Sequence, residues 1–168
     1  MISLVEIAFY KSDKTLLDKG IRFFSKSPYS HCEIIIDRLH SISASGRDGG
    51  VRIKKYEDMN FNDTNKWDIY KLKVNNIKSD ELVKFVEEYK YKYDFISIIL
   101  YHMLRIPINI KKKYICSEYC YMIILKHLQG NDFYNVCNSL RSFFGNKEYK
   151  INPSNLLLIL EMNKLLSR

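Results

Sequence analysis

The segment Cys116-Ser117-Glu118 stands where an apolar stretch with helical spacing begins, so its cysteine is predicted to open a helix. Gly130-Asn131 predicts the end of that helix. At a helix N-terminus the free backbone N–H groups and the positive end of the helix dipole favour the thiolate, which is the nucleophilic form of cysteine. The alternative is a buried cysteine in an ordinary core helix, because unpaired cysteines are among the most buried residues. Position alone favours that alternative.

A histidine far upstream changes this balance. The β-branched run Ile34-Ile35-Ile36, bounded by the polar pair Asp37-Arg38, predicts a strand with His31 at its entrance. A thiol nucleophile and its general base must be close in the fold and need not be close along the chain. His31 and Cys116 are therefore a candidate base and nucleophile, although a lone histidine is more often structural or exposed.

The elements around this pair indicate an α+β fold. Apolar alternation predicts strands over 3–9, 39–44, 51–53 and 67–74, in addition to the strand that His31 enters. Helical spacing predicts helices over 14–24, from Ser79 onward and over 153–166. The apolar residues at helical spacing in the first helix are Leu16, Leu17, Ile21 and Phe24. An antiparallel sheet packed against helices follows from this order.

Composition limits the class of protein. The 168 residues are predicted to form one domain over 1–168, because 46% of them are hydrophobic and only 6 Gly and 3 Pro interrupt the chain. Four cysteines show neither a metal-binding spacing nor the density of a disulfide scaffold, so we expect reduced thiols, no metal and no other cofactor.

The net charge bears on partners. Lys and Arg number 27 against 19 Asp and Glu, a formal charge of +8, which makes contact with an anionic surface plausible. The densest basic run, 111–113, precedes the cysteine helix and is interpreted either as a solvated loop or as a positive rim near the thiol. The first nine residues include Glu6 and no long apolar core, so no signal peptide or transmembrane segment is predicted and a cytoplasmic or phage- or virus-associated location is expected.

Four short motifs lie within roughly residues 5–125, and their order along the chain indicates a family. They are Ser30-His31-x-Glu33, the segment 43–52, Tyr93-Asp94-Phe95 and Cys116-Ser117-Glu118. In this order the sequence resembles the circularly permuted NlpC-like branch of the papain-fold cysteine hydrolases, which includes the YiiX-like proteins and is related to lecithin retinol acyltransferase. In the permuted branch the histidine strand precedes the cysteine helix, as it does here. The resemblance implies a permuted papain-like fold.

The resemblance also implies roles. Cys116 is the nucleophile, His31 is its base, and a polar residue on the strand after His31 orients the imidazole. Ser43 lies at that third position, where a hydroxyl can accept the imidazole N–H but supplies no charge, so a weaker base is expected. Glu33 is the alternative, because residues i and i+2 of a strand point to the same side. An exposed strand carboxylate is the other interpretation of Glu33.

Substrate contacts complete the predicted site. Tyr93 matches a tyrosine that often lines the site in this superfamily, although packing is the ordinary role of any one tyrosine among thirteen. Ser30 and Ser117, the neighbours of the two catalytic residues, complete the predicted substrate-binding set. The backbone N–H of Cys116 is the expected oxyanion donor.

The predicted function is therefore a cysteine hydrolase that acts by acyl transfer on an amide bond of a peptide or cell-wall peptide. One alternative is a lipid or amide acyltransferase or esterase of the same fold. Another is a non-catalytic virion or surface-binding module that retains the fold. A nucleic-acid binder has only the charge and the tyrosines in its favour, since no nucleic-acid motif is recognised.

Overall fold

The computed structural model describes residues 4–74, 79–88, 92–93, 113–144 and 151–167. Within these ranges the chain forms an eight-stranded sheet and five α-helices, which confirms the predicted α+β class. The strands are β1 Val5–Tyr10, β2 His31–Ile36, β3 His40–Ser45, β4 Gly50–Lys55, β5 Trp67–Leu72, β6 Lys92–Tyr93, β7 Lys113–Tyr114 and β8 Leu166–Ser167. The helices are α1 Leu16–Ser25, α2 Ser79–Glu88, α3 Cys116–His127, α4 Gly130–Phe144 and α5 Pro153–Met162.

The sheet has the strand order β7-β6-β4-β3-β2-β1-β5-β8. Its strands pair antiparallel except for β6 and β7, which are parallel. Because side chains alternate along a strand, Cys32 and Ile34 of β2 lie on one face, and His31, Glu33 and Ile35 lie on the other. The central strand β2 therefore contributes to both faces.

Each face has its own apolar layer. On one face, α3 packs across β2 and β3, where Ile34, Tyr119 and Ile123 are almost completely buried. On the other, a smaller cluster forms around Ile35 and Trp67. Packing of α3 on β2 brings the start of the helix to the His31 end of the strand.

The ladder between β2 and β3 is short, and this shapes the site. Its paired residues are only Ile34–Ile36 with His40–Ile42. Beyond the ladder, the carbonyl of Cys32 accepts hydrogen bonds from side chains, the Ser43 hydroxyl at 2.7 Å and the Cys120 thiol at 3.7 Å. The end of β2 that carries His31 is thus tied to α3 by side chains.

Two helical predictions need correction. A turn does follow α3, with Gly130 at φ 58°, but a further helix, α4, begins there, which the sequence did not predict. Among the side chains of α4 that the structure describes, only Val136 and Leu140 are buried, so its apolar face is too narrow to predict a helix from the sequence. The predicted closing helix ends at Met162, because Lys164 adopts a left-handed conformation at φ 55° and the chain then pairs with β5 as β8.

The orientation of α1 also differs from expectation. Leu16, one of its predicted apolar residues, is 89% exposed, and Phe24 is 40% exposed. The polar Asp18 is buried instead, at 3% exposure. The side chain of Leu17 lies outside the described residues, whereas Ile21 packs against the core.

None of the helices in the described ranges is long and apolar enough to cross a membrane.

Candidate active site

Cys116 is the first residue of α3 and follows an extended residue, Ile115. The carboxylate of Glu118 accepts the backbone N–H of Ile115 at 3.2 Å, which stabilises the first turn of a helix whose preceding residue has no polar side chain. Cys116 is 3% exposed. The predicted placement of this thiol at a helix start is confirmed.

Cys116 and His31, the residues predicted as nucleophile and base, interact closely enough for each group to shift the pKa of the other. The Nε2 atom of His31 lies 2.7 Å from Oε1 of Glu33. His31 therefore lies between a thiol and a carboxylate.

The surroundings of Cys116 favour its thiolate. The hydrogen bond from the thiol of Cys32 holds the pKa of Cys116 well below its usual range, although burial opposes this. The charge of His31 and the backbone N–H of Cys32 lower the pKa of Cys116 further. These interactions favour the thiolate of Cys116 over its thiol.

The pKa of His31 moves in the opposite direction. Burial alone would lower it, but the Cys116 thiolate and then the Glu33 carboxylate raise the pKa of His31 from 6.5 to about 10. The imidazole is consequently protonated at neutral pH. The opposite shifts of the two pKa values favour a thiolate–imidazolium pair of Cys116 and His31, which is the reactive state of a thiol nucleophile.

Glu33 is completely buried and has two cationic partners. Besides His31, it receives two hydrogen bonds from the guanidinium of Arg52, one of them at 2.8 Å from Nη1 to Oε2. Burial would raise the pKa of Glu33, but His31 and Arg52 lower it to about 2. The carboxylate remains charged and holds the imidazole in one orientation.

Charge alternates beyond Arg52. Its Nε donates to Oδ2 of Asp48 at 2.8 Å, and Asp48 pairs in turn with Nζ of Lys54 at 2.9 Å. The buried guanidinium, whose side chain is 12% exposed, is thus neutralised on both sides. Removing Glu33 or Asp48 would leave this guanidinium with one carboxylate in place of two.

Ser43 has a different bond from the one predicted. Its hydroxyl donates to the carbonyl of Cys32, and the bond to the imidazole is made by Glu33. Of the two alternatives for the residue that orients His31, the geometry places the carboxylate in contact. Glu33 is accordingly not an exposed strand carboxylate.

The three predicted substrate contacts lie in different places. Ser30 lines a cavity beside His31, and its hydroxyl donates to Asp18 at 3.2 Å. Ser117 is completely buried and donates to the carbonyl of Ile151, which ties the start of α3 to the chain before α5. Tyr93 pairs in the sheet with Tyr114, and its side chain lies outside the described residues.

The cavity beside His31 has a volume of about 370 Å³. Its walls combine aromatic rings with charged groups of both signs. They include Tyr10, Asp18, His31, Arg47, Arg52 and Trp67. His31 lines this cavity of ligand size, whereas Cys116 is not among the lining residues.

Sequence reasoning missed Cys32, Arg52 and Asp48. The sequence identifies Cys32 only as one of four reduced thiols, and it places Asp48 and Arg52 only within the motif at 43–52. One signal was available, since a carboxylate on the same strand face as His31 needs a cationic partner if it is buried. Nothing in the sequence pattern identified Arg52 as that partner.

Compared with known proteins, the chain matches no protein-family model and shows no significant similarity to a curated protein. Among the described residues, no group of three or more His, Cys, Asp or Glu side chains is arranged to hold a metal ion.

Proposed function

We propose that this protein is a cysteine hydrolase of the permuted papain-like type, which transfers an acyl group from an amide to Cys116 and then to water. The observation that carries the proposal is the contact of His31 with Cys116 on one side and Glu33 on the other. The chain order, with the histidine strand before the cysteine helix, supports the permuted arrangement.

In the first half-reaction, the Cys116 thiolate attacks the carbonyl carbon and forms a C–S bond. The backbone N–H of Cys116, at the free N-terminus of α3, stabilises the developing oxyanion. The imidazolium of His31 gives its proton to the leaving amine as the C–N bond breaks. A thioester and a neutral imidazole result.

In the second half-reaction, His31 accepts a proton from water, and the resulting hydroxide attacks the thioester carbonyl. The C–S bond breaks, the carboxylic acid leaves, and the thiolate and imidazolium are restored. Glu33 keeps its charge throughout and stabilises the imidazolium before and after the reaction.

The charged and aromatic walls of the cavity favour a peptide or cell-wall peptide amide as the substrate. A lipid ester or amide is the second candidate, because α1, which lines this cavity with Asp18 and Ile21, exposes large apolar side chains on its opposite side. A non-catalytic surface-binding module would not need a thiol with a depressed pKa, so the charge pair favours catalysis.

The test uses p-nitrophenyl acetate as a general acyl donor and mass spectrometry to find the acetylated cysteine. We expect acetylation of Cys116 in the native protein, a loss of about 100-fold or more in rate in His31→Ala, and no acetylation at this position in Cys116→Ala. Cys120→Ala is the matched control, because its thiol lies one turn further along α3, and it should react at the native rate. Each variant must keep the native circular dichroism spectrum.

Labelling with iodoacetamide provides an independent measurement of the nucleophile. Cys116 should react faster at neutral pH than Cys137, a partly exposed thiol of the same chain. If Cys116 reacts no faster than Cys137 and is not acetylated, the proposed chemistry is wrong.

A further inference from the structure

Helix α1 presents its large apolar side chains to solvent. Leu16 is 89% exposed, Phe23 is 77% exposed, and Phe24 is 40% exposed. Leu16 and Phe23 are separated by two helical turns and therefore lie on the same side of α1. The ring of Phe24 meets that of Phe23 edge-on, with centroids 5.2 Å apart. We call the part of the helix surface that carries these three exposed side chains the α1 outer surface.

Asp18 explains why α1 is turned this way. Its carboxylate is buried and accepts two hydrogen bonds from Arg47, at 2.8 and 2.7 Å, and one from Ser30 at 3.2 Å. It also accepts a hydrogen bond from the side chain of Thr15 at the start of the helix. These polar contacts set the rotation of α1 about its axis, so the apolar residues on its other side face outward.

The α1 outer surface is bordered by positive charge. Lys14, Lys19 and Lys26 are all exposed. Within the described part of the chain, neither Lys19 nor Lys26 pairs its ammonium group with an acid. Asp13 is the only exposed acid between residues 13 and 26, so the surface is apolar in its middle and basic at its edges.

We propose that the α1 outer surface docks on an anionic phospholipid bilayer. Leu16, Phe23 and Phe24 enter the interface between headgroups and acyl chains, and the lysines contact the headgroups. Exposed Leu and Phe combined with Lys are typical of helices that lie in a membrane interface. The basic edge argues against a second copy of this chain as the partner, because two such surfaces would repel each other.

The same helix also lines the cavity. Asp18 and Ile21 form part of its wall together with His31. A protein docked through α1 would therefore hold this cavity close to the membrane surface. Docking does not depend on the proposed function, because Leu16, Phe23 and Phe24 are neither among the residues that line the cavity nor among those that shift the pKa of Cys116 or His31.

The experiment is vesicle flotation with the full chain. We expect binding to vesicles of phosphatidylcholine with phosphatidylserine, and much weaker binding to phosphatidylcholine alone or at high salt. Leu16→Ser combined with Phe23→Ser should weaken binding at least about 10-fold, because two inserted side chains are lost. Lys19→Glu combined with Lys26→Glu should do the same, because each lysine gains from the anionic surface.

Two matched controls test the location. Leu39→Ser removes an exposed leucine, 61% exposed, from the turn between β2 and β3, and Lys71→Glu reverses an exposed charge on β5. Both should bind like the native protein. The proposal is wrong if the controls lose as much vesicle binding as the α1 variants, or if the native protein does not bind anionic vesicles. It is also wrong if light scattering shows that the native protein is a dimer and that Leu16→Ser combined with Phe23→Ser makes it monomeric. Cys116→Ala should bind normally, which separates docking from catalysis.

Discussion

Replacing Glu33 by glutamine tests whether this carboxylate sets the charge state of the candidate catalytic pair. Glutamine has nearly the same size and keeps an oxygen that can face Nε2 of His31. It removes the negative charge that His31 and Arg52 share. Arg52 keeps its second partner, Asp48. The variant therefore removes the negative charge at position 33 and leaves the guanidinium with a neighbouring carboxylate.

The magnitude follows from the pKa of His31, which rises from 6.5 to about 10 although burial alone would lower it. At about 1.4 kcal/mol per pKa unit, its partners stabilise the imidazolium by about 5 kcal/mol more than burial costs it. Glu33 contributes less than Cys116 to this. We therefore expect Glu33→Gln to withdraw about 2 kcal/mol, which is roughly 30-fold in the protonation equilibrium of His31.

Glu33→Gln should shift the pKa values of His31 and Cys116 in opposite directions. A raised histidine pKa keeps the imidazolium present until the pH rises through the folded-state value, so losing Glu33 moves deprotonation of His31 to lower pH. Because the imidazolium helps to hold the Cys116 thiolate, the pKa of Cys116 should rise at the same time. The pH window of the thiolate–imidazolium pair therefore narrows from both sides.

Two measurements follow the two groups separately. NMR of the imidazole ring reports the titration of His31, and the pH dependence of iodoacetamide labelling, resolved by mass spectrometry, reports that of Cys116. Cys137 in the same digest corrects for changes in reagent reactivity. Glu33→Asp, which keeps the charge, should shift both titrations less. If folded Glu33→Gln protein titrates like the native protein at both groups, the carboxylate does not control the pair.

Two further predictions concern neighbours of the pair. Ser43→Ala should leave the titration of His31 unchanged. It should lower the free energy of unfolding, measured in urea, by about 1 kcal/mol, because one hydrogen bond to the Cys32 carbonyl is lost. A shift in the His31 titration would instead show that Ser43 orients the imidazole. Cys32→Ala should raise the pKa of Cys116, because it removes the thiol that donates to the thiolate, and so slow iodoacetamide labelling at acid pH. Cys120→Ala is its control, and an equal effect there would point to altered packing of α3 as the cause.

Local patterns in the sequence were sufficient for the elements that carry the site. The break between apolar and polar residues placed Cys116 at the start of α3 and His31 at the start of β2. Strand alternation put Glu33 on the side of His31, because adjacent positions of a strand face opposite ways whatever its partners are. The α+β class followed from the same periodicities, which depend on backbone geometry alone.

Tertiary structure decided which side chains meet. Arg52 reaches Glu33, and Cys32 reaches Cys116, only because β2, β3 and β4 pair in one register and α3 lies across them. The buried bonds of Asp18 likewise turned α1 outward against its apolar pattern. Such contacts join residues distant along the chain, and their energy depends on burial and on partners that no local pattern specifies. The sequence alone therefore determined that the thiol lies at the start of a helix and the imidazole at the start of a strand. Only the fold determined which charged groups surround them.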